Sequence, residues 1–180
     1  MSRIGKKIIV LTAGVTFTVI DNLVIVKGPL GELRQSILPF VKVENNGTEV
    51  SVTVENSKEK LQRAMWGTTS ALLQNMVTGV SQGFKQELEL NGVGYKMAMA
   101  GNVITFALGF SHPVLVTVPS AIKITIERNA IRGESFDKQL IGSFFANIFK
   151  LKPHEPYKGK GFKVPGKKYM RKVGKKGGKK

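Results

Sequence analysis

The feature of the sequence that most restricts its fold is an internal repeat with a spacing of about 80 residues. A run of strand-forming residues, broken by a turn, occupies residues 16–26, and a second run of the same kind occupies residues 95–108. Turn residue Asn22 corresponds to Asn102, as Pro39 corresponds to Pro119. Because a repeat of this length has the size of one small folding unit, the sequence predicts a duplicated domain.

Each half of the repeat begins with strand patterns. The two runs each predict a β-hairpin, since alternating strand-forming residues flank a turn. Residues 41–44 and 50–54 predict a further hairpin in the first half, because Asn46-Gly47 between them suits a tight turn. Residues 122–126 alternate in a way that places three isoleucines on one face of a strand.

Each half then closes with a segment of helical periodicity. In the first half Ser57 is a suitable N-cap and Gly79 a suitable stop. In the second half the helix is expected to begin near Ser135 or Asp137 and to end before Pro153. The residues expected to line the buried faces are Leu61, Met65, Thr68, Leu72 and Met76 in the first helix and Leu140, Ile141, Phe144, Phe145, Ile148 and Phe149 in the second.

These patterns predict an α+β fold with two tandem similar domains, each an antiparallel sheet with one helix packed on a face, plus a basic C-terminal extension. The expected boundaries are residues 1–82 for the N-terminal domain, 83–152 for the C-terminal domain and 153–180 for the tail. From Pro153 onward lysine, glycine and proline dominate. We therefore expect the tail to order itself only with a partner, because it buries too little apolar surface alone.

Positive charge is concentrated at the C-terminal end of the chain. The formal net charge is +16, but residues 1–149 hold 15 basic and 11 acidic side chains, whereas residues 150–180 hold 13 basic and 1 acidic. Because neutralising phosphates releases counterions, this distribution favours a polyanionic partner, with nucleic acid first and an anionic membrane second. A solvated basic tail that only aids solubility is the simpler alternative.

The sequence contains few of the residues that catalytic and metal sites usually require. Cysteine is absent, and the two histidines, His112 and His154, each stand beside a proline in a loop-like context without an obvious partner. The segment from Gly161 to Lys168 has the glycine spacing of a phosphate-binding loop, but Lys168 stands where Ser or Thr must hold magnesium. We therefore expect no enzyme activity, no cofactor, no metal and no small-molecule substrate.

Targeting and membrane segments are not expected either. The apolar run at residues 8–11 is too short for the core of a signal peptide. No stretch approaches the ~20 apolar residues that span a bilayer. A cytoplasmic protein is the expectation.

The tail contains the pattern most suggestive of binding, Tyr157-Lys158-Gly159-Lys160-Gly161-Phe162-Lys163. Glycine lets the backbone approach phosphates, lysine supplies charge, and Tyr157 or Phe162 can stack on an exposed base. The alternative for both rings is packing against the second domain. The cations that follow show no pattern suited to recognising bases, so we expect them to contact the nucleic-acid backbone. They are Lys167, Lys168, Arg171, Lys172, Lys175, Lys176, Lys179 and Lys180.

Several motifs, in this order along the whole chain, resemble the large-subunit ribosomal protein "L six" family in its bacterial form. They are Met1-Ser2-Arg3-Ile4-Gly5-Lys6, Val26-Lys27-Gly28-Pro29-Leu30-Gly31, Asn75-Met76-Val77-Thr78-Gly79-Val80, Gly92-Val93-Gly94-Tyr95, Leu108-Gly109-Phe110-Ser111-His112-Pro113, Asp137-Lys138-Gln139 and Glu155-Pro156-Tyr157-Lys158-Gly159-Lys160-Gly161. The chain departs from the family where Ser70 and Phe149 stand in place of a frequent arginine, and Phe149 puts in doubt an RNA contact from the end of the second helix.

The resemblance implies a structural role in the cytoplasmic ribosome, with large-subunit ribosomal RNA near the translation-factor (GTPase) binding region and neighbouring ribosomal proteins as partners. It implies that His112 is a loop residue at or near RNA and no general base, and that Lys138 and Gln139 begin a helix where amides and charge meet phosphate. The expected RNA-binding residues are Lys96, Ser111, His112, Lys138, Gln139, Lys152, Tyr157, Lys158, Gly159, Lys160, Gly161, Lys163, Lys167, Lys168, Arg171, Lys172, Lys175 and Lys176.

Two other classes of function fit the same charge distribution. A free nucleic-acid chaperone or DNA-compacting protein would bind DNA and RNA duplexes alike. A peripheral membrane protein fits less well, because the tail has no amphipathic helix pattern and its glycines oppose one.

Overall fold

The structure of the protein, a computed structural model, describes residues 4–174. The chain divides into two compact units. The first comprises Met1–Phe84 with Phe136–Lys138, and the second comprises Lys85–Ser135 with Gln139–Lys180. No helix within residues 4–174 is long and apolar enough to cross a membrane.

The first unit combines six strands with one helix. Its elements are β1 (Ile9–Val10), β2 (Thr16–Ile20), β3 (Leu23–Gly28), β4 (Gly31–Ser36), β5 (Val41–Asn45), β6 (Glu49–Val54) and α1 (Lys60–Gln82). The strands form two three-stranded sheets, with strand orders β1-β6-β5 and β2-β3-β4. Neighbouring strands in both sheets run antiparallel.

The core of the first unit lies between α1 and the inward-facing residues of the strands. Val24 and Val26 alternate with less buried residues along β3 because successive strand side chains point to opposite faces. Trp66 of α1 is buried among these residues, and its Nε1 donates a hydrogen bond of 2.6 Å to the carbonyl of Val52. The indole therefore adds apolar area while its polar atom stays satisfied.

The bounds of α1 differ from those expected at both ends. The helix begins at Lys60 with Glu59 as N-cap, so Ser57 lies outside it. It continues past Gly79 to Gln82. A Cβ at Gly79 would collide with the Phe136 carbonyl oxygen, so this glycine serves a close approach inside the helix and not a stop.

The buried face of α1 is also rotated from the expected one. Leu61 is 60% exposed, and of the five residues expected to face the core only Met76 is buried. The face that does pack comprises Trp66, Thr69, Ser70, Leu73, Met76, Val77, Gly79 and Val80. Two residues of this buried face, Thr69 and Ser70, are polar, so the apolar periodicity of the sequence does not reveal the face. Ser70 can be buried because its Oγ donates a hydrogen bond of 3.2 Å to the Ile4 carbonyl.

The second unit repeats this arrangement. Its elements are β7 (Phe84–Asn91), β8 (Lys96–Ala100), β9 (Val103–Ala107), β10 (Val114–Thr117), β11 (Lys123–Glu127), β12 (Ala130–Ser135), α2 (Lys138–Leu151) and β13 (Gly161–Lys163). The sheet orders are β10-β9-β8 and β11-β12-β7-β13. The tandem α+β prediction is thus confirmed, with more strands than expected and two sheets in each unit.

Hydrogen bonds show which positions of the two halves are equivalent. The Ile37 amide donates to the Asn22 carbonyl and the Val118 amide to the Asn102 carbonyl, both at 2.8 Å, so the pairing of the two asparagines is confirmed. The pairing of Pro39 with Pro119 is wrong by one residue. The Val41 amide donates to the Leu38 carbonyl, and the Ile122 amide donates to the Pro119 carbonyl, so Pro119 is equivalent to Leu38. The connection between β9 and β10 is longer than that between β3 and β4.

The α2 helix agrees with its expected bounds and face. It begins directly after Asp137 and ends at Leu151, two residues before Pro153. Four of its expected core residues, Ile141, Phe144, Phe145 and Ile148, are buried. Phe149 and Leu140 are only partly buried.

The expectation that the tail needs a partner to order itself is wrong for its first part. Residues 161–163 form β13, which pairs antiparallel with β7 at the edge of its sheet. Phe162 has no exposed surface. Burial of the Phe162 side chain thus stabilises this part of the tail, although the composition of the tail as a whole predicts little apolar burial.

Candidate nucleic-acid interface

The segment that follows α2 is folded back on the second unit by its own backbone. The Phe162 amide donates to the Lys152 carbonyl at 2.9 Å, and the Glu155 amide donates to the Lys160 carbonyl at 2.8 Å. The Gly159 amide donates to the Glu155 carbonyl at 3.0 Å, which closes a tight loop. Tyr157 and the lysine after it are therefore presented at the tip of a closed loop and not on a free chain.

Gly161 makes this closure sterically feasible. Its φ is 117°, a conformation that residues with a side chain rarely adopt. A Cβ there would lie 2.5 Å from the Pro153 carbonyl oxygen and 2.7 Å from that of Lys152. The glycine that the sequence assigned to phosphate contact thus has a structural role as well.

A second set of contacts holds the chain beyond β13. The rings of His154 and Tyr169 lie 4.8 Å apart between centroids, and the Tyr169 hydroxyl accepts a hydrogen bond of 2.9 Å from the Val164 amide. The Lys172 amide donates to the Pro156 carbonyl at 3.0 Å. We name residues 152–172 the basic clasp, since both of its ends are held to residues of the loop.

The cations of the basic clasp are exposed or half-buried and have no acidic partners among the described residues. Glu155 is the single acidic residue in residues 150–180. In the part of the chain that the structure describes, no ion pair involves the basic residues at the end of α2 and in the clasp, which are Lys150, Lys152, Lys158, Lys160, Lys163, Lys167, Lys168, Arg171 and Lys172. Their positive potential is therefore not cancelled locally.

The sheet of the same unit shows the contrasting arrangement. Lys85 Nζ lies 2.7 Å from a carboxylate oxygen of Glu134, and Arg132 pairs with Glu87 and with Glu127. The hydrogen bond from Lys85, together with its charge, lowers the pKa of the Glu134 carboxyl. Lys85 and Arg132 are thus paired with neighbouring carboxylates, in contrast to the lysines of the clasp.

Aromatic rings position three of the clasp lysines. Lys152 Nζ lies 5.0 Å from the centre of the Phe110 ring, Lys160 Nζ 5.8 Å from that of Tyr95, and Lys167 Nζ 5.8 Å from that of Tyr169. These contacts bring two loops of the sheet next to the clasp, one of them directly before Lys96. The sequence reasoning missed this role for Tyr95 and Phe110, although each follows a glycine in a turn.

The two rings that the sequence offers for stacking, Tyr157 and Phe162, and the ring of Phe110 have different environments. Phe162 is fully buried, so its expected stacking on a base is wrong and the alternative, packing in the domain, is correct. Tyr157 is 53% exposed and Phe110 is 46% exposed. Both rings are exposed enough to be candidates for stacking on an unpaired base.

Ser111 and His112 lie in the exposed loop between β9 and β10. Ser111 Oγ and His112 Nδ1 are 3.3 Å apart. In a catalytic triad a third group, commonly a carboxylate, accepts a hydrogen bond from the histidine ring, and among residues 4–174 no acidic side chain accepts one from His112. The pair offers hydrogen-bonding groups to a ligand at the surface.

The remaining expected site residues lie elsewhere. Lys138 belongs to the first unit, where its Nζ donates a hydrogen bond of 3.0 Å to Asn75 Oδ1 and lies 5.3 Å from the centre of the Phe84 ring. Gln139 is exposed at the start of α2. Lys175 and Lys176 lie outside the described residues. Within residues 4–174, no three acidic or histidine side chains come together as a metal site would require.

Comparison with known proteins places these features in a family context. The family model described as "Ribosomal protein L6" matches residues 12–83 and 91–164. The chain is 46% identical to the large ribosomal subunit protein uL6 of Oleidesulfovibrio alaskensis, over 100% of both chains. It is 44% identical to that of Phenylobacterium zucineum, over 98% of this chain and 99% of the relative, and 42% identical to that of Thermotoga maritima, over 98% and 100%.

Proposed function

Because the chain belongs to the ribosomal protein L6 family, we propose that it is a structural constituent of the large ribosomal subunit. Its task is to bind large-subunit ribosomal RNA and to stabilise it near the translation-factor (GTPase) binding region. Neighbouring ribosomal proteins are further partners, and the protein works in the cytoplasmic ribosome. It contributes to translation by maintaining the structure of the large subunit and catalyses no step itself.

The basic clasp is the observation that carries this proposal. Its backbone is fixed by Phe162 and by the closed loop around Tyr157, whereas its lysines are free of acidic partners. A fixed backbone reduces the conformational entropy lost when RNA binds. Uncompensated lysines supply the counterion release that drives association with phosphates.

The parts of the interface have distinct tasks. The lysines of the clasp contact phosphates and give affinity without reading sequence. Tyr157 and Phe110 stack on bases that RNA leaves unpaired. Ser111 and His112, on the loop that carries Phe110, donate or accept hydrogen bonds at the edge of the same surface.

The experiment that tests the proposal compares two matched pairs of substitutions. Deproteinised large-subunit ribosomal RNA is titrated with the Lys158→Gln, Lys160→Gln variant and with a Lys42→Gln, Lys123→Gln control, whose lysines are exposed on strands. Losing two phosphate contacts lowers the slope of log K against log salt by about 2, since each contact contributes about 0.9. The control is expected to keep the slope of the unmodified protein. Equal slopes for the two variants would refute the assignment of the clasp as the main RNA contact.

A further inference from the structure

The outward face of α1 has an unusual charge pattern. The helix spans 23 residues, yet its charged side chains are Lys60 and Arg63 alone, and it contains no acidic residue. Exposed helical faces of globular proteins ordinarily carry charges of both signs. This face of the first unit is therefore positive at one end and uncharged along the rest of its length.

A groove runs along this face. One part, of about 770 Å³, is lined by Ile4, Lys60, Arg63, Ala64, Gly67, Thr68, Ala71 and Leu72. A second part, of about 330 Å³, is lined by Ile4, Lys7, Ser70, Ala71, Gln74 and Asn75. The two parts share Ile4 and Ala71 and are therefore adjacent, and we name them together the α1 groove.

The N-terminal segment forms one wall of the α1 groove and is held in place by packing. A Cβ at Gly5 would lie 2.6 Å from the Trp66 ring, so the backbone of this segment lies directly on the indole. The Ser70 hydroxyl, buried beneath, donates to the Ile4 carbonyl. Lys7, two residues after Gly5, lines the second part of the groove.

The cations at the rim are not neutralised by the acidic residues of the unit. Among the described residues, no ion pair involves Lys7, Lys60 or Arg63. Glu32 is engaged by Lys27 and Arg34, and Glu55 by Lys42. The carboxylate of Glu59, at the helix N-cap, accepts a hydrogen bond of 2.8 Å from Gln62. A fourth cation, Lys138, reaches the far end of the groove through its hydrogen bond to Asn75 Oδ1.

We propose that the α1 groove is a second RNA-binding surface, which takes the sugar-phosphate backbone of one RNA strand. Lys7, Lys60 and Arg63 neutralise its phosphates. Thr68 and Gln74 supply the neutral hydroxyl and amide groups that commonly bind phosphate or ribose oxygens. An RNA strand fits these observations better than a protein segment, because the charged side chains that line the groove are all cations and no acidic side chain is among them. The inference rests on the proposed function, since the strand belongs to the same ribosomal RNA.

The absence of cysteine from the chain allows a direct test in the assembled particle. Single-cysteine variants carrying an iron-EDTA tether are incorporated into large subunits, and RNA cleavage by hydroxyl radicals is mapped. Leu61→Cys places the tether on α1 beside the groove without lining it, at a side chain that is 60% exposed. Thr53→Cys, on the exposed face of β6, is the control in the same unit, and Val173→Cys reports on the clasp.

Cleavage at a discrete set of nucleotides from Leu61→Cys, with none from Thr53→Cys, is the expected result. In binding to deproteinised ribosomal RNA, the Lys7→Gln, Lys60→Gln, Arg63→Gln variant is expected to lower the salt slope by about 3. If Val173→Cys cleaves RNA but Leu61→Cys does not, or if the salt slope of the triple variant is unchanged, the α1 groove is not an RNA-binding surface. The proposed function is unaffected by either result. The absence of cleavage from both Leu61→Cys and Val173→Cys overturns the proposed function itself.

Discussion

The rings of Phe106 and Phe162 meet edge to face in the core of the second unit, with centroids 5.6 Å apart and an angle of 87° between the ring planes. Phe106 lies on β9, and Phe162 lies on β13 within the basic clasp. Neither side chain has exposed surface. The contact ties the segment proposed to bind RNA to the folding of its domain, so the stability of the unit and the geometry of the clasp depend on the same residue.

Truncation of this contact should therefore destabilise the protein strongly. We expect Phe162→Ala to lower the free energy of unfolding by about 3–5 kcal/mol, the range for removing a fully buried aromatic ring. Tyr157→Ala, which removes an exposed ring four residues from Gly161, should stay within about 0.5 kcal/mol. Urea unfolding followed by circular dichroism measures both. Similar losses for the two variants would mean that Phe162 is not part of the core.

Two of the three glycines of the clasp that adopt positive φ, Gly161 and Gly166, allow the cost of backbone strain to be compared with that of a steric collision. Gly166, with φ 75° and open space at its Cβ position, should lose about 1–2 kcal/mol when replaced by alanine. Gly161→Ala should lose clearly more, because its Cβ would meet the Pro153 and Lys152 carbonyl oxygens. Thermal unfolding midpoints give the comparison. A smaller loss at Gly161 than at Gly166 would contradict the folded-back path of residues 152–161.

Stacking by Tyr157 can be separated from charge by its salt dependence. We expect Tyr157→Ala to weaken binding to ribosomal RNA by about 1–3 kcal/mol without changing the salt slope, since stacking releases no counterions. Tyr157→Phe should bind like the unmodified protein. Filter binding at several salt concentrations makes the measurement. If the phenylalanine variant binds as weakly as the alanine variant, the hydroxyl and not the ring face makes the contact.

The exposed pair of Lys85 and Glu134 predicts a small acid-dependent contribution to stability. Lys85 lowers the pKa of the Glu134 carboxyl below its ordinary value of 4.5. A lowered pKa in the folded state stabilises the fold above about pH 4.5, and this contribution disappears as the pH falls through the folded pKa. In Lys85→Gln the pKa of Glu134 should return toward 4.5, as followed by carboxyl NMR titration. An unchanged midpoint would show that the ion pair does not form in solution.

The elements that the sequence predicted well are those with a purely local pattern. Both repeated hairpins and the hairpin of β5 and β6 follow from alternation around a turn, and Gly47 in the last has φ 85° as a tight turn requires. The face of α2 was read correctly because its phenylalanines and isoleucines are unambiguous. The family resemblance, carried by motifs along the chain, agrees with the family to which the chain belongs.

The errors arise where tertiary contacts override local patterns. The predicted buried face of α1 is wrong because Thr69 and Ser70 are buried although they are polar. The sequence does not show that the Ile4 carbonyl accepts a hydrogen bond from the buried Ser70 hydroxyl. The order of the clasp was missed because it depends on Phe162 entering a core formed by strands about 60 residues earlier. For the same reason the pairing of lysines with Tyr95 and Phe110 became visible only in the folded structure.

The most direct test of the account is sedimentation of the tagged protein from a cell lysate through a high-salt sucrose gradient, with identification of the RNA in each fraction. A structural constituent of the large subunit should appear in stoichiometric amount in the large-subunit peak, together with large-subunit ribosomal RNA. Migration as free protein, or together with bulk DNA, would contradict that role and favour a nucleic-acid chaperone with the same fold.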